Sequence, residues 1–232
     1  MLGIKKDNKH SYNDFEIKIL SRSISIPSKR KIKDTVPFMN GSYDFSLLYG
    51  EQTYDEREIT YTFSLPKKDK VKLNMLKIKI IEWLYDGIQS KIYDDQFPNF
   101  HFLAECTDID YDESFYNYAQ LTATFIAYPF KISTLQDGHD IWDEFNFELD
   151  MIQDTKFDVI GSKSITLYNN SIIGIYPTVI CDNNFEVIKN GITYSFTPGE
   201  VKSFNFKLDK GENNLLLKGN GAIEFKWSKE VL

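Results

Sequence analysis

Apolar residues fall on alternate positions through most of the chain, which is the period-2 pattern of strands buried on one face. The clearest case is residues 58–65. There Ile59, Tyr61, Phe63 and Leu65 alternate with Glu58, Thr60, Thr62 and Ser64. Tyr43, Phe45 and Leu47 alternate with Asp44 and Ser46 just upstream and predict a half-buried strand, after a Pro-bounded loop (Val36, Pro37, Phe38) and an Asn40-Gly41 turn. Phe15, Ile17 and Ile19 predict a first strand, and Ile24 and Ile26 a second that stops at Pro27. Leu121, Ala123, Phe125 and Ala127 predict another, closed by Tyr128-Pro129-Phe130.

One stretch breaks the period. Leu73, Leu76, Ile80, Trp83, Leu84 and Ile88 recur at helical spacing, predicting a helix from about Leu73 to Tyr85 with Gly87 beyond its end. Trp83 on that face reads either as a ligand-stacking platform or, more simply, as core. Short strands around Ser90–Asp95 and Phe100–Cys106 follow, with an acidic, aromatic hairpin tip over Tyr111–Tyr118.

Composition shifts over residues 133–150, and the domain boundary is placed at 142/143. Beyond it, strands recur with turn signals every eight to twelve residues, the pattern of an all-β sandwich. The expected strands carry Ile165–Leu167, Ile173–Ile175, Val179–Cys181, Phe185–Ile188, Ile192/Tyr194/Phe196, Phe204/Phe206/Leu208, Leu215–Leu217 and Ile223/Phe225/Trp227. Asn190-Gly191 is the strongest hairpin signal, and Gly219-Asn220-Gly221 reads as another turn. The expected fold class is mainly β. It comprises an N-terminal β-sandwich or split-barrel-like domain with one helix (1–142) and a C-terminal galectin-like or carbohydrate-module-like sandwich (143–232).

At 232 residues and 42% apolar content the chain has enough material for a packed core, and 14 Tyr and 18 Phe favour strands and interfaces. A net charge of −7 argues against a general nucleic-acid binder. No apolar run approaches a membrane span, and the first residues lack the apolar core of a signal peptide. Cys106 and Cys181 read as buried thiols of a cytosolically made protein, with a disulfide the alternative.

Several motifs look like chemistry and fail on detail. Asp108-Ile-Asp110-Tyr-Asp112 opens like a calcium loop, but Glu113 and Ala119 stand where that loop needs Gly and Glu. His10, His101 and His139 are scattered rather than paired at ligand spacing. Lys29–Lys33 reads as a basic patch for phosphate or an acidic partner, or as a solvated loop between strands. The Asn40-Gly-Ser42 and Asn169-Asn-Ser171 glycosylation patterns carry weight only in an exported protein. No metal, cofactor or catalytic site is expected.

A sequence of motifs carries a family resemblance over about residues 15–135: a Pro-flanked loop, Asn40-Gly-Ser-Tyr-Asp-Phe-Ser46, Tyr54-Asp-Glu-Arg57, Glu82-Trp83-Leu84, Tyr93-Asp94-Asp95, Phe100-His-Phe102 and Tyr128-Pro129-Phe-Lys131. In this order they resemble the siphophage distal tail protein family. The resemblance implies a non-enzymatic virion protein of the tail tip, made in the host cytoplasm. It implies six copies in a ring that joins the tail tube protein to a tail-associated hub protein and a receptor-binding protein, without nucleic-acid or membrane partners. Within the motifs Tyr54, Arg57, Trp83 and Pro129 are the structural or assembly residues, Arg57 being expected to tie down its loop by charge-assisted hydrogen bonds or stacking. The strand pair Tyr43–Leu47 and Ile59–Leu65 is expected to supply the ring interface. The competing reading is a carbohydrate-binding module acting through Asn183 and Trp227 of the C-terminal sandwich. A glycoside hydrolase piece would need a carboxylate pair that no motif singles out.

Overall fold

The computed structural model describes residues 2–48, 50–66, 69–113, 118–138 and 152–232. The chain divides into two compact units, residues 1–131 and 132–231. The boundary expected at 142/143, with Trp142, Phe145, Phe147 and Leu149, lies outside the described residues.

The first unit contains β1 (Ile4–Lys6), β2 (Lys9–His10), β3 (Lys18–Ile24), β4 (Lys33–Asp34), β5 (Tyr43–Asp44), β6 (Arg57–Pro66), α1 (Lys70–Leu84), β7 (Ser90–Asp94), β8 (Phe100–Asp112) and β9 (Tyr118–Ala127). Seven of its strands join in the order β2-β1-β7-β8-β9-β6-β3, all antiparallel. β6 and β9 form an unbroken ladder from Arg57↔Ala127 to Pro66↔Tyr118. Ile59, Tyr61, Phe63 and Leu65 face Leu121, Ala123 and Phe125 within one core, as their alternation predicts. Asp69 caps α1 by accepting from the Val71 amide, and Leu73, Ile80, Trp83 and Leu84 turn inward. Ile88, expected on that face, lies past the helix end and is exposed.

The sheet is strongly curled. Arg22 of β3 donates from Nε to Asp94 of β7 at 3.1 Å, and the Tyr61 hydroxyl donates to the same carboxylate oxygen at 3.0 Å. In a flat sheet, β3 and β7 stand four strand spacings apart, about 19 Å. The contact therefore requires β3 to fold round toward β7, giving a barrel-like wall about the core. Asp94 is fully buried. Burial, then its charge, drives the Tyr61 phenol well above its ordinary pKa.

Three strand expectations fail here. Residues 18–24 form one strand with a bulge between Ile19 and Ser21, not two, while Phe15 and Ile17 enter the core from the preceding turn. β1 and β2, which carry few apolar residues, have no signal in the alternation. Tyr43–Leu47 is not a half-buried strand: β5 is two residues long, a turn follows at Ser46, and Tyr43, Phe45 and Leu47 are exposed.

The second unit contains β10 (Lys131–Gln136), β11 (Lys156–Asn169), β12 (Thr178–Cys181), β13 (Phe185–Lys189), β14 (Ile192–Phe196), β15 (Gly199–Lys202), β16 (Gly211–Lys226) and β17 (Ser228–Val231). β16 organises it. One edge pairs with β11 along fourteen residues, while the other pairs with β13 through Leu216–Gly219 and then with β12 through Ile223–Lys226. The change of partner falls on Gly219-Asn220-Gly221. That segment is therefore not a turn but the middle of the longest strand. A Cβ on Gly219 would lie 2.7 Å from the Phe185 ring, and one on Gly221 would run into the Asp182 carboxylate. Both glycines also hold positive φ (153° and 129°), so the sequence permits the crossing only without side chains. Val179, Phe185, Val187, Phe206, Leu217, Ile223 and Phe225 fill the core. Phe204–Leu208 forms no strand: Phe204 is exposed, and Leu208 makes only an isolated bridge to Ile175. Ile192 is likewise exposed despite its place in β14. Asn169 of the glycosylation pattern is buried, its amide donating to the Ile173 and Leu208 carbonyls.

Removing the Asp94 carboxylate leaves Arg22 and Tyr61 facing an empty centre. Asp94→Ala is expected to cost about 3–5 kcal/mol in urea unfolding of the intact chain; a loss under about 1 kcal/mol would show that the barrel closes without this group. We propose that the second unit folds alone only with residues 132–142 attached, because β10 pairs with β17 and Asp137 accepts from the Trp227 indole at 2.7 Å. Residues 132–232 should melt cooperatively and well above residues 143–232; equal melting temperatures would place the boundary at 142/143.

Candidate functional site

Between β3 and β6 the chain leaves the barrel for about thirty residues as a folded arm. Its base is fixed by backbone bonds from Ser25 to Glu58, Arg30 to Thr53 and Asp55 to Ser28, and by the Lys29↔Tyr54 bridge. Farther out, β4 and β5 pair only with each other. The Phe45 amide reaches the Ile32 carbonyl, and Ser46 accepts from the Ile32 amide. The Lys29–Lys33 run resolves here. Arg30 pairs with Asp55 at 2.7 Å and Lys31 with Asp44 at 3.2 Å. Ser46, then Lys31, holds the Asp44 carboxyl down at about 2. Exposed pairs of this kind add little stability, but they fix the arm's shape. What the arm presents is apolar: Val36, Phe38, Tyr43, Phe45, Leu47 and Leu48 are all exposed. Such a concentration marks an interaction surface rather than ordinary surface scatter.

At the root of the arm the structure gathers three of the four predicted assembly residues. Tyr54 meets the Phe130 ring edge-on at 5.2 Å, beside buried Pro129. Arg57 opens β6 opposite Ala127, on the buried face, and is 3% exposed. Its guanidinium lies 5.7 Å from the Phe102 ring centre. Its Nε and Nη2 are buried without hydrogen-bond partners, so of the two expected contacts it makes only stacking; the loop is tied by Asp55 instead. Burial lowers the Arg57 pKa. Nearby Lys131 lies 5.0 Å over the Phe97 ring, its pKa lowered by burial and then by Arg57. His101, buried beside Tyr93, is pushed down to about 4 by burial and then by Lys91, so it is neutral at pH 7.

Trp83 belongs to a different group. It stacks on Phe15 at 4.8 Å, and its indole donates to the Lys6 carbonyl. It is core, not a platform. Lys6 had no signal in the sequence, yet its side chain is fully buried at the end of α1, held by Asp7, Asp86 and the Trp83 carbonyl. Burial lowers its pKa, but the two carboxylates outweigh that and raise it. The cation sits where helix carbonyls lack partners.

The sugar-contact candidates do not form a site. Trp227 is 4% exposed and spent on Asp137. The Asn183 amide is turned onto the Asn220 carbonyl at 2.9 Å. Asn220 on β16 and Trp227, one residue past the end of that strand, stand seven residues apart, about 23 Å along an extended chain. Asp108, Asp110 and Asp112 lie along β8, not in a loop. Among the described residues no three His, Cys, Asp or Glu side chains gather to hold a cation, and no helix is long and apolar enough to cross a membrane. Cys106 and Cys181 are both buried free thiols; burial pushes Cys106 up to about 12 and raises Cys181.

The family profile described as phage tail protein RIFT-related domain matches residues 6–127, more than half of the chain. Among solved structures, the crystal structure of the SPP1 Dit (gp 19.1) protein, described as a paradigm of the hub adsorption apparatus in phages infecting Gram-positive bacteria, is similar in fold. Its TM-score is 0.68 at 11% identity, over 100% of both chains. No curated protein matches the chain.

Arg57→Met retains a long side chain against Phe102 and removes the unpaired charge. We expect it to raise the melting temperature of the isolated chain, and Arg57→Ala, which opens a cavity, to lower it. If the Met variant falls as far as the Ala variant, the guanidinium has a partner in the folded chain.

Proposed function

The chain belongs to the phage tail protein RIFT-related domain family, and we propose that within the siphophage tail it is the distal structural ring component. Six copies join head to tail. The first unit makes the ring, meeting the tail tube protein and a tail-associated hub protein. The second unit projects to hold receptor-binding parts. The protein works as a connector in the virion and carries out no catalysis.

The observation that supports this reading is the arm. It holds the first motifs of the distal tail resemblance, from the Pro-flanked loop through Asn40–Ser46 to Tyr54, lies within the matched region, and offers six large apolar side chains that are exposed. Fully burying one such side chain is worth about 1.5–3 kcal/mol, so a monomer in water leaves substantial association energy unused. Of the expected interface pair, Tyr43–Leu47 lies on the arm and is retained, and Ile59–Leu65 is withdrawn. Ile59–Leu65 lies between β3 and β9 with both edges paired, so β6 offers no edge to a neighbour. The arm takes its place.

Native mass spectrometry of the full chain at micromolar concentration, with negative-stain images, tests this. The expected species has six times the 27.1 kDa chain mass and is ring-shaped. Monomer alone, across concentration and in the presence of tail tubes, would overturn the ring.

A further inference from the structure

Helix α1 has two apolar faces. With about 100° between successive residues, Leu73, Leu76, Ile80, Trp83 and Leu84 cluster on one side, which is the side packed into the core. Val71, Met75, Ile78 and Tyr85 fall within about 80° of one another on the opposite side. All four are more than half exposed, led by Val71 at 71%. Their spacing of four, three and seven is that of a coiled-coil seam, not of a surface helix. An ordinary surface helix keeps this side polar.

The charge beside that seam is mainly positive. α1 holds four lysines and one glutamate, Glu82, which stands seven residues after Met75 and so lies on the seam's own side, toward the end of the helix. Lys77 is engaged internally, 3.6 Å over the Tyr111 ring. Lys72 and Lys79 fall about 80–100° round from the seam, along one flank; both are exposed and make no ion pair among the described residues. The tip of the arm has the opposite character. Beyond Lys33, residues 34–53 contain Asp34, Asp44 and Glu51 and no lysine or arginine; Asp44 is paired with Lys31, and Asp34 and Glu51 are the carboxylates to meet the helix. Ser46 and Lys31 keep Asp44 ionised.

We infer that the outer arm of one copy docks on the exposed seam of α1 of the next copy. Phe45, Leu47 and their neighbours cover Val71, Met75 and Ile78, and the arm's carboxylates come to lie along Lys72 and Lys79. This rests on the ring reading above and specifies its contact. The two surfaces differ, so the contact is heterologous: each copy uses its arm on one neighbour and offers its helix to the other. Repetition then continues until rotation closes it, whereas an arm-to-arm contact would stop at a dimer. Charge complementarity fixes which surface the arm accepts and suppresses arm-to-arm pairing, where acid meets acid.

The test uses two full-length chains, one carrying Phe45→Cys and one Met75→Cys, mixed and treated with a short bis-maleimide. Both positions are exposed, and both native cysteines are buried. The expected product is a cross-linked dimer abundant in the mixture and scarce with either variant alone; a chain carrying both substitutions should give a ladder ending at ring size. Adding Lys72→Glu and Lys79→Glu to the helix-bearing chain should reduce the cross-link by about tenfold or more, because like charges then face each other. Asp34→Lys with Glu51→Lys on the arm-bearing chain should restore it. Rings seen by native mass without the mixed cross-link would overturn the arm-to-helix contact and leave the ring standing. Monomers throughout, without cross-link, would overturn both.

Discussion

Asp94 is the hinge on which the first unit turns. Seven antiparallel strands with one apolar face do not of themselves fix how far the sheet curls. A single buried carboxylate that accepts from β3 and β6 while sitting on β7 does so, because it brings together strands that a flat sheet holds far apart. Its fixed position then sets the neighbours. The Gln96 amide donates to its second oxygen and shapes the turn leading to Phe97, whose ring meets Phe102 edge-on and carries Lys131 above it. A buried charge is costly unless fully served, so these donors and the carboxylate specify one another.

Around that barrel the chain separates holding itself together from holding something else. Core residues alternate along β6 and β9 or face inward from α1. The residues left apolar and uncovered concentrate on the arm and on the outer side of α1. Arg57, buried at the root of the arm, is where the two roles meet: its strand belongs to the core, and its Nε and Nη2 find no hydrogen-bond partner among the described residues.

The sequence spoke most clearly where side-chain pattern and burial obey one rule. Ile59–Leu65, Leu121–Ala127, the buried face of α1 and the Val179, Phe185 and Phe225 strands were all legible as alternation or helical period. Legibility failed where the deciding partner is distant in sequence. Asp94 lies 72 residues from Arg22, and Lys6 lies 80 from Asp86; nothing local marks either as buried. Alternation also misled. Tyr43, Phe45 and Leu47 have the period of a strand buried on one face, but that face belongs to an exposed arm. Gly219-Asn-Gly221 carries the letters of a turn, yet the same absence of side chains serves a long strand crossing close beneath Phe185 and Asp182. The motif order around Tyr54–Arg57 and Tyr128–Lys131 pointed to the family, whereas the apolar seam of α1 was hidden, since a helix apolar on both sides shows only a diluted period.

The arm's hydrogen bonds run within itself and to its base, and its outer strands bond to no strand of the barrel. In native-state hydrogen exchange such an element opens as its own unit, at a small part of the global unfolding free energy, because little buried surface is lost with it. β6 and β9 keep their ladder throughout. In the contact proposed above, the same hairpin would let go and re-seat on a neighbour many times while the barrel stays closed, so that a structure built from these chains would anneal its errors in assembly without refolding its parts.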